Sequence, residues 1–374
     1  MSAAPPHPPC APGPVPGRGT RARRRRAATL AAFASLAFFA LPTAPVAAQA
    51  GAVPAIAASA PPTPPAPAGV ASPALPERGR VATARMRHVR VDGLDRDYLV
   101  QAEPGARGAG RLPVIVVLHG GTETAQEAWR ETSLPTLGAR EGFLVVAPEA
   151  LNRHWNDARG AGVAGEPAST VDDVHFLKAV IADVIAQDHG DPSAVFMVGI
   201  SNGGFMAMRF ACDAGETLRA AASVLATMPE ALARNCKSPR PLPWLAINGT
   251  EDPLIPFGGQ VEGIVRRGEA QPALESVDDT FRFWADRAGC ATVITRQPLT
   301  DAAADERHRW AERVERGGCV AGQVSGLVVL HGSGHVVPGQ PVESRLIERV
   351  VGPAAPELDG GTLIWSHFHA TLLK

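Results

Sequence analysis

The chain has 374 residues, 45% of them hydrophobic but only 5% aromatic, with Tyr98 as its one tyrosine. It can fill a large core provided that core is aliphatic. The formal net charge of −1 hides an asymmetry, because residues 1–50 carry six arginines and no acidic residue, which leaves −7 on the remainder. A mildly acidic body has no electrostatic reason to bind nucleic acid, and without a Cys-x-x-Cys pair in the sequence no zinc site is expected.

At the start of the chain, Arg18, Arg21 and the arginines at 23–26 form a basic stretch. Residues 27–41 are an apolar run containing Leu30, Phe33, Leu36, Phe38 and Phe39, and Ala48-Gln49-Ala50 has the small-residue cleavage form. This order predicts a signal peptide removed near Ala50. The run is shorter than the roughly 18–20 apolar residues that cross a bilayer, so export without a stable membrane span is expected. Residues 51–83, rich in Pro, Ala and Ser, are expected to form a disordered linker. The folded domain is expected over 84–352, with 353–374 as a tail of no assigned structure. In an oxidising compartment the four cysteines of the mature chain allow three pairings. Cys212–Cys236 with Cys290–Cys319 is favoured because each closes a modest loop within one local unit, and each bridge would contribute about 2–4 kcal/mol.

The domain opens with two alternating segments, 86–91 and 98–101, around Asp92-Gly93, a hairpin signal. Five short aliphatic runs follow, at 114–118, 143–147, 195–199, 244–247 and 326–330. Uniformly apolar strands of this kind suit a parallel sheet covered on both faces. Between them lie helical stripes. Val174, Leu177, Val180, Ile181, Val184 and Ile185 follow Asp172 and Asp173, and Val277, Phe281 and Trp284 mark another helix within 273–288. The expected fold class is therefore α/β, a mostly parallel central sheet with helices on both faces and an N-terminal antiparallel hairpin.

The chemistry is expected at Gly199-Ile200-Ser201-Asn202-Gly203, a G-x-S-x-G pentapeptide between an apolar strand and a helix-capable segment. A serine in such a strand-to-helix turn is exposed above the sheet, and the small flanking residues let other backbone pass close by. Its hydroxyl needs a base to take its proton. His335, in Gly332-Ser333-Gly334-His335 after the last aliphatic run, is the best placed histidine, ahead of His119, His154, His175, His189, His308, His331, His367 and His369. Asp252, rather than its neighbour Glu251, is the expected orienting acid, since the following Pro253 restricts its backbone. Serine, acid and histidine then occur in the chain order of α/β-hydrolases. For the oxyanion, the N–H of Asn202 at a helix start and that of Gly121 or Thr122, after the first aliphatic run, are candidates. Trp155 is a candidate aromatic wall for substrate.

Together, Leu118-His119-Gly120-Gly121, Val171-Asp172-Asp173-Val174, residues 199–204, the stretch 249–256, Phe283-Trp284 with Gly289-Cys290, and residues 332–339 resemble the secreted polyhydroxybutyrate depolymerase and feruloyl esterase group, that is, esterases like carbohydrate esterase family 1. The resemblance spans about residues 88–340. It implies an α/β-hydrolase fold, the triad Ser201, Asp252 and His335, and a Cys290–Cys319 bridge. The chain departs from the group after the histidine, where Val336-Val337 stands in place of an aromatic residue before Pro338-Gly339.

The expected activity is a secreted, extracellular or periplasmic serine esterase that hydrolyses carboxylic esters without metal or organic cofactor. Its expected partner is an ester substrate: a polyester oligomer, an acylated sugar or a short-chain ester. A serine peptidase on the same fold, separable by a peptide-bond assay, and a non-catalytic secreted binding protein, separable by covalent labelling, are the alternatives.

Overall fold

A computed structural model describes residues 83–101, 110–160, 169–237, 240–263, 265–266, 269–301, 309–320 and 323–373. The leader expected at 1–50 and, apart from Thr83, the linker expected at 51–83 lie outside the described residues. The alternating segments form the hairpin, β1 (Ala84–Val91) paired antiparallel with β2 (Leu94–Gln101). Asp92 and Gly93 both take positive φ, 52° and 81°, the two-residue turn whose twist matches that of its strands.

The aliphatic runs become β3 (Leu112–Leu118) and β4 (Leu144–Pro148), with α1 (Ala125–Glu131) and α2 (Leu134–Glu141) between them. Next, α3 (Asp173–Gln187) is capped by the Asp172 side chain and buries Phe176, Leu177, Val180, Ile181 and Val184. β5 (Gly190–Ile200) leads into α4 (Asn202–Ala214), followed by β6 (Ala220–Val224), α5 (Glu230–Asn235) and β7 (Trp244–Gly249). The rest comprises a short ribbon of β8 (Val265–Arg266) and β9 (Glu269–Ala270), then α6 (Val277–Arg287), β10 (Ile294–Pro298), β11 (Trp310–Arg316), β12 (Ser325–His331), α7 (Arg345–Val351) and α8 (Gly360–Leu372).

The main sheet has ten strands in the order β1-β2-β4-β3-β5-β6-β7-β12-β11-β10. Strands β4, β3, β5, β6, β7 and β12 run parallel, and antiparallel pairs flank them at both edges. Side chains alternate between faces. Val114, Val116 and Met197 pack with Phe176, Phe205 and Trp284 on one side. Ile115, Val117, Phe196 and Val328 pack with Trp129, Leu137 and Phe368 on the other. This is the two-sided sheet of an α/β-hydrolase fold, and the C-terminal ends of its parallel strands share one edge.

Three regions depart from the sequence expectation. β6 reads Ala-Ala-Ala-Ser-Val, a composition poor in the β-branched residues that mark strands. β10 and β11 extend the far edge antiparallel and are largely polar. The segment 353–374, expected as a tail, contributes α8, whose Phe368 is fully buried and stacks on Phe196 with ring centres 4.7 Å apart. Gly360-Gly361 opens that helix, which hides it from helix propensity. The second glycine is required by packing, because a Cβ there would stand 2.3 Å from Ser133 Oγ.

Candidate active site

Ser201 sits between β5 and α4 with φ 51° and ψ −114°, a conformation that L-residues avoid unless their surroundings impose it. The surroundings here are backbone. A Cβ on Gly199 would lie 1.9 Å from Gly203 O, and one on Gly203 would lie 2.4 Å from Leu118 O and 2.6 Å from His119 O. The turn can therefore close only with glycine at both flanking positions of the pentapeptide. That same contact lays the end of β3 against the first turn of α4. The Ser201 N–H donates to Val224 O at 2.8 Å, which fastens the turn to the end of β6. The Cys212–Cys236 bridge ties α4 to the segment after α5, and Cys290–Cys319 links the segments after α6 and β11.

The turn after β3 has its donors assigned. Gly120 N–H donates to Glu123 Oε2 at 2.7 Å, Thr122 N–H to Arg153 O at 2.9 Å, and Glu123 N–H to Gly120 O at 3.3 Å. Thr122, at φ 69°, is thus held by a partner that sequence reasoning did not identify. Among the described residues the Gly121 N–H has no partner, and it lies in the turn that β3 brings to α4. Asn202 is buried, and its side chain accepts the Trp155 N–H at 2.8 Å and donates to Asp157 Oδ2 at 2.5 Å. Asp157 also pairs with Arg159, which lies over the Phe205 ring. Asn156 N–H donates to Asp173 Oδ2, and Asp173 pairs with buried Arg96 at 2.8 Å. The 152–157 and 171–174 motifs therefore brace the first turn of α4.

On the other side, Asp252 follows β7 and His335 follows β12. His335 Nδ1 lies 2.6 Å from Asp252 Oδ2, while Asp252 Oδ1 accepts the N–H groups of Leu254 and Ile255, each at 2.8 Å. Glu251 is exposed, and its N–H donates to Ser333 O at 2.9 Å. The end of α7 and the segment after it support this loop, for Gly334 N–H donates to Pro353 O at 2.8 Å and His335 N–H to Val351 O at 2.5 Å. Ser201, Asp252 and His335 are thereby brought to one edge of the sheet from three separate loops.

Trp155, a candidate substrate wall, is instead fully buried. Its Nε1–H donates to His119 O at 3.0 Å and its ring packs beside Phe176. Val336 and Val337 are buried as well. His119 is structural: its Nε2 accepts the Ala150 N–H at 3.0 Å, its Nδ1 faces Gly120 O at 2.7 Å, and burial pushes its pKa down to about 4. His331 stacks on Trp310 and pairs with Glu312. His367 is buried beside Arg313, with its pKa pushed down to about 3, chiefly by burial.

Residues 97–227 match the family model described as esterase PHB depolymerase. Over 270 residues the chain is 31% identical to the "Putative esterase NocK" of Nocardia uniformis subsp. tsuyamanensis, an alignment covering 69% of this chain and 75% of that protein. The chain belongs to the esterase PHB depolymerase family. It is accordingly a serine hydrolase acting on ester bonds. The span matched to the family model holds the 119–124 turn and the Ser201 elbow and ends before Asp252 and His335. Feruloyl esterase B of Piromyces equi is 25% identical over 247 residues, covering 64% of this chain but 42% of that longer protein. Among solved structures, the acetyl xylan esterase from Aspergillus awamori aligns with 71% of this chain and 98% of its own, at 14% identity and a TM-score of 0.47.

Proposed function

We propose that this family member is a secreted esterase in which Ser201, His335 and Asp252 form the catalytic triad. The observation that carries the reading is the strained Ser201 elbow at the same sheet edge as the 2.6 Å His335–Asp252 pair. With Nδ1–H donated to Asp252, Nε2 of His335 takes the Ser201 proton as Oγ attacks the ester carbonyl. The tetrahedral oxyanion is held by the N–H groups of Asn202 and Gly121, Gly121 being preferred to Thr122 because the Thr122 N–H is already donated to Arg153 O. His335 then protonates the departing alcohol, and a water molecule deacylates Ser201 by the same proton path in reverse.

The acyl group is proposed to be aliphatic rather than aromatic, because Trp155, the candidate aromatic wall, is spent in the core, and the residues after His335 are buried valines. Export is supported by the basic and apolar leader and by two disulfides. No helix among the described residues is long and apolar enough to cross a membrane.

Labelling with a fluorophosphonate followed by peptide mapping tests the site, with modification expected at Ser201; modification of another serine overturns it. Rates on p-nitrophenyl acetate, butyrate and methyl ferulate test the acyl group. Short aliphatic esters are expected to react fastest, and preference for the ferulate overturns that part.

A further inference from the structure

The turn that presents Gly121 is closed twice. Glu123 Oε2 accepts the Gly120 N–H at 2.7 Å, and the Glu123 N–H donates back to Gly120 O at 3.3 Å. A Cβ at position 120 would stand 2.6 Å from Glu123 Oε2, so the carboxylate reaches the turn only because residue 120 is glycine. Glu123 is itself hydrogen-bonded to the side chain of Glu131, at the far end of α1. Glu131 Oε2 is buried and, among the described residues, has no donor facing it.

Two ionised carboxylates have no proton to share, so one member of a hydrogen-bonded pair must be protonated. The surroundings decide which. Burial, then the charges of Glu123 and Glu127, push Glu131 up to about 8. Glu123 is also raised by burial, but the Gly120 N–H and His335 pull it back toward the ionised form. The proton therefore resides on Glu131 at neutral pH. The titratable groups that act on the pair are Glu127 on α1 and His335 from the loop after β12. Next outward are Arg153, 3.7 Å from Glu127, and Glu149, which accepts the Ala125 N–H.

We infer that Glu123 is a positioning residue for the esterase reaction: its carboxylate, fixed between the Gly120 N–H and a protonated Glu131, locks the 120–123 turn that presents Gly121. This rests on the triad and Gly121 assignments proposed above. Loss of the Glu131 proton leaves two half-buried anions in contact, and their repulsion opens the turn. The oxyanion forms only during reaction, so the effect falls on kcat rather than on KM.

The test combines pH profiles of kcat and KM on p-nitrophenyl acetate for the full chain, Glu131→Ala and Glu131→Gln with an NMR titration of protein labelled with 13C at the glutamate carboxyl. The wild type is expected to lose kcat above about pH 8 with KM unchanged. Glu131→Ala is expected to lower kcat at pH 7 by about tenfold to a hundredfold, the scale of a small misplacement of reacting groups. Glu131→Gln, whose amide donates at every pH, is expected to recover most of that loss and to move the alkaline fall upward by about one pH unit or more. In the wild type one glutamate side chain is expected to remain protonated at pH 7, and its signal is expected to vanish in Glu131→Gln. An unbroken alkaline plateau in the wild type, equal damage from Gln and Ala, or the absence of a protonated glutamate at pH 7 each overturns the inference. The titration needs no variant to fold and no turnover. Performed also in Ser201→Ala, it separates a failure of this pair from a failure of the triad, which would appear as hydrolysis retained by that variant.

Discussion

Ser201 and His335 stand at the same edge of one sheet, yet they are held there differently. The Ser201 elbow is held by the central strands of the sheet. Two glycines within five residues let the turn fold back on β3 and on itself, with gaps that no Cβ fits. The His335 loop is held by the C-terminal segment. Its backbone hangs on Val351 and Pro353, and the segment beyond them is docked through α8, where Ser133 Oγ donates to Asp359 Oδ1 at 2.6 Å and Phe368 fills the core beside Phe196. A nucleophile held by the centre of the sheet keeps its geometry while packing at the C-terminal end of the chain loosens. A base hung on the C-terminal segment does not. Damage to the C-terminal segment should therefore disable the base before it disturbs the nucleophile.

The largest expected effect comes from breaking the His335 side at its acid. Asp252→Asn should lower kcat by about a thousandfold or more through loss of the imidazole's orientation, with the thermal midpoint little changed; steady-state kinetics beside a melting curve checks both. Next is Phe368→Ala. Truncating a buried aromatic costs about 3–5 kcal/mol, read as a lower urea midpoint, and at temperatures where the variant is still folded kcat should fall while fluorophosphonate labelling of Ser201 persists at a reduced rate. Smaller is Asp359→Ala, which removes both the α8 cap to the Thr362 N–H and the link to Ser133; a loss of about 1 kcal/mol is expected.

His119 beside the nucleophile's turn and His367 on α8 are both held neutral, with pKa values pushed down by burial to about 4 and about 3 from 6.5. Between those values and 6.5 the unfolded chain binds more protons than the folded one, so stability is retained above about pH 6.5 and declines as pH falls toward 4. Urea midpoints across pH 4–7 should show this slope, and His367→Gln, if folded, should flatten it. A slope confined to one half of the molecule by hydrogen exchange would say which histidine governs.

Much of the elbow's side was legible in the sequence. Period-2 and period-3.6 hydrophobic patterns located the hairpin, the aliphatic strands, α3 and α6, and the pentapeptide marked the turn. What escaped was tertiary. Nothing local says that Thr122's N–H is taken by Arg153, or that Trp155 turns inward to the His119 carbonyl. Glu123 precedes α1 and Glu131 ends it, and no spacing rule announces that their carboxyls interact. β6 escaped because alanine carries little strand signal, and α8 because two glycines open it. The aliphatic run before the His335 loop was legible as β12, but the segment that supports that loop was expected to be a tail.

The central claim is that Ser201 carries the acyl group, and the most direct measurement is kcat/KM of Ser201→Ala on p-nitrophenyl acetate against a matched thermal melt. Hydrolysis is expected to fall to background with an unchanged melting midpoint. A variant that folds and hydrolyses the ester at the wild-type rate would contradict it.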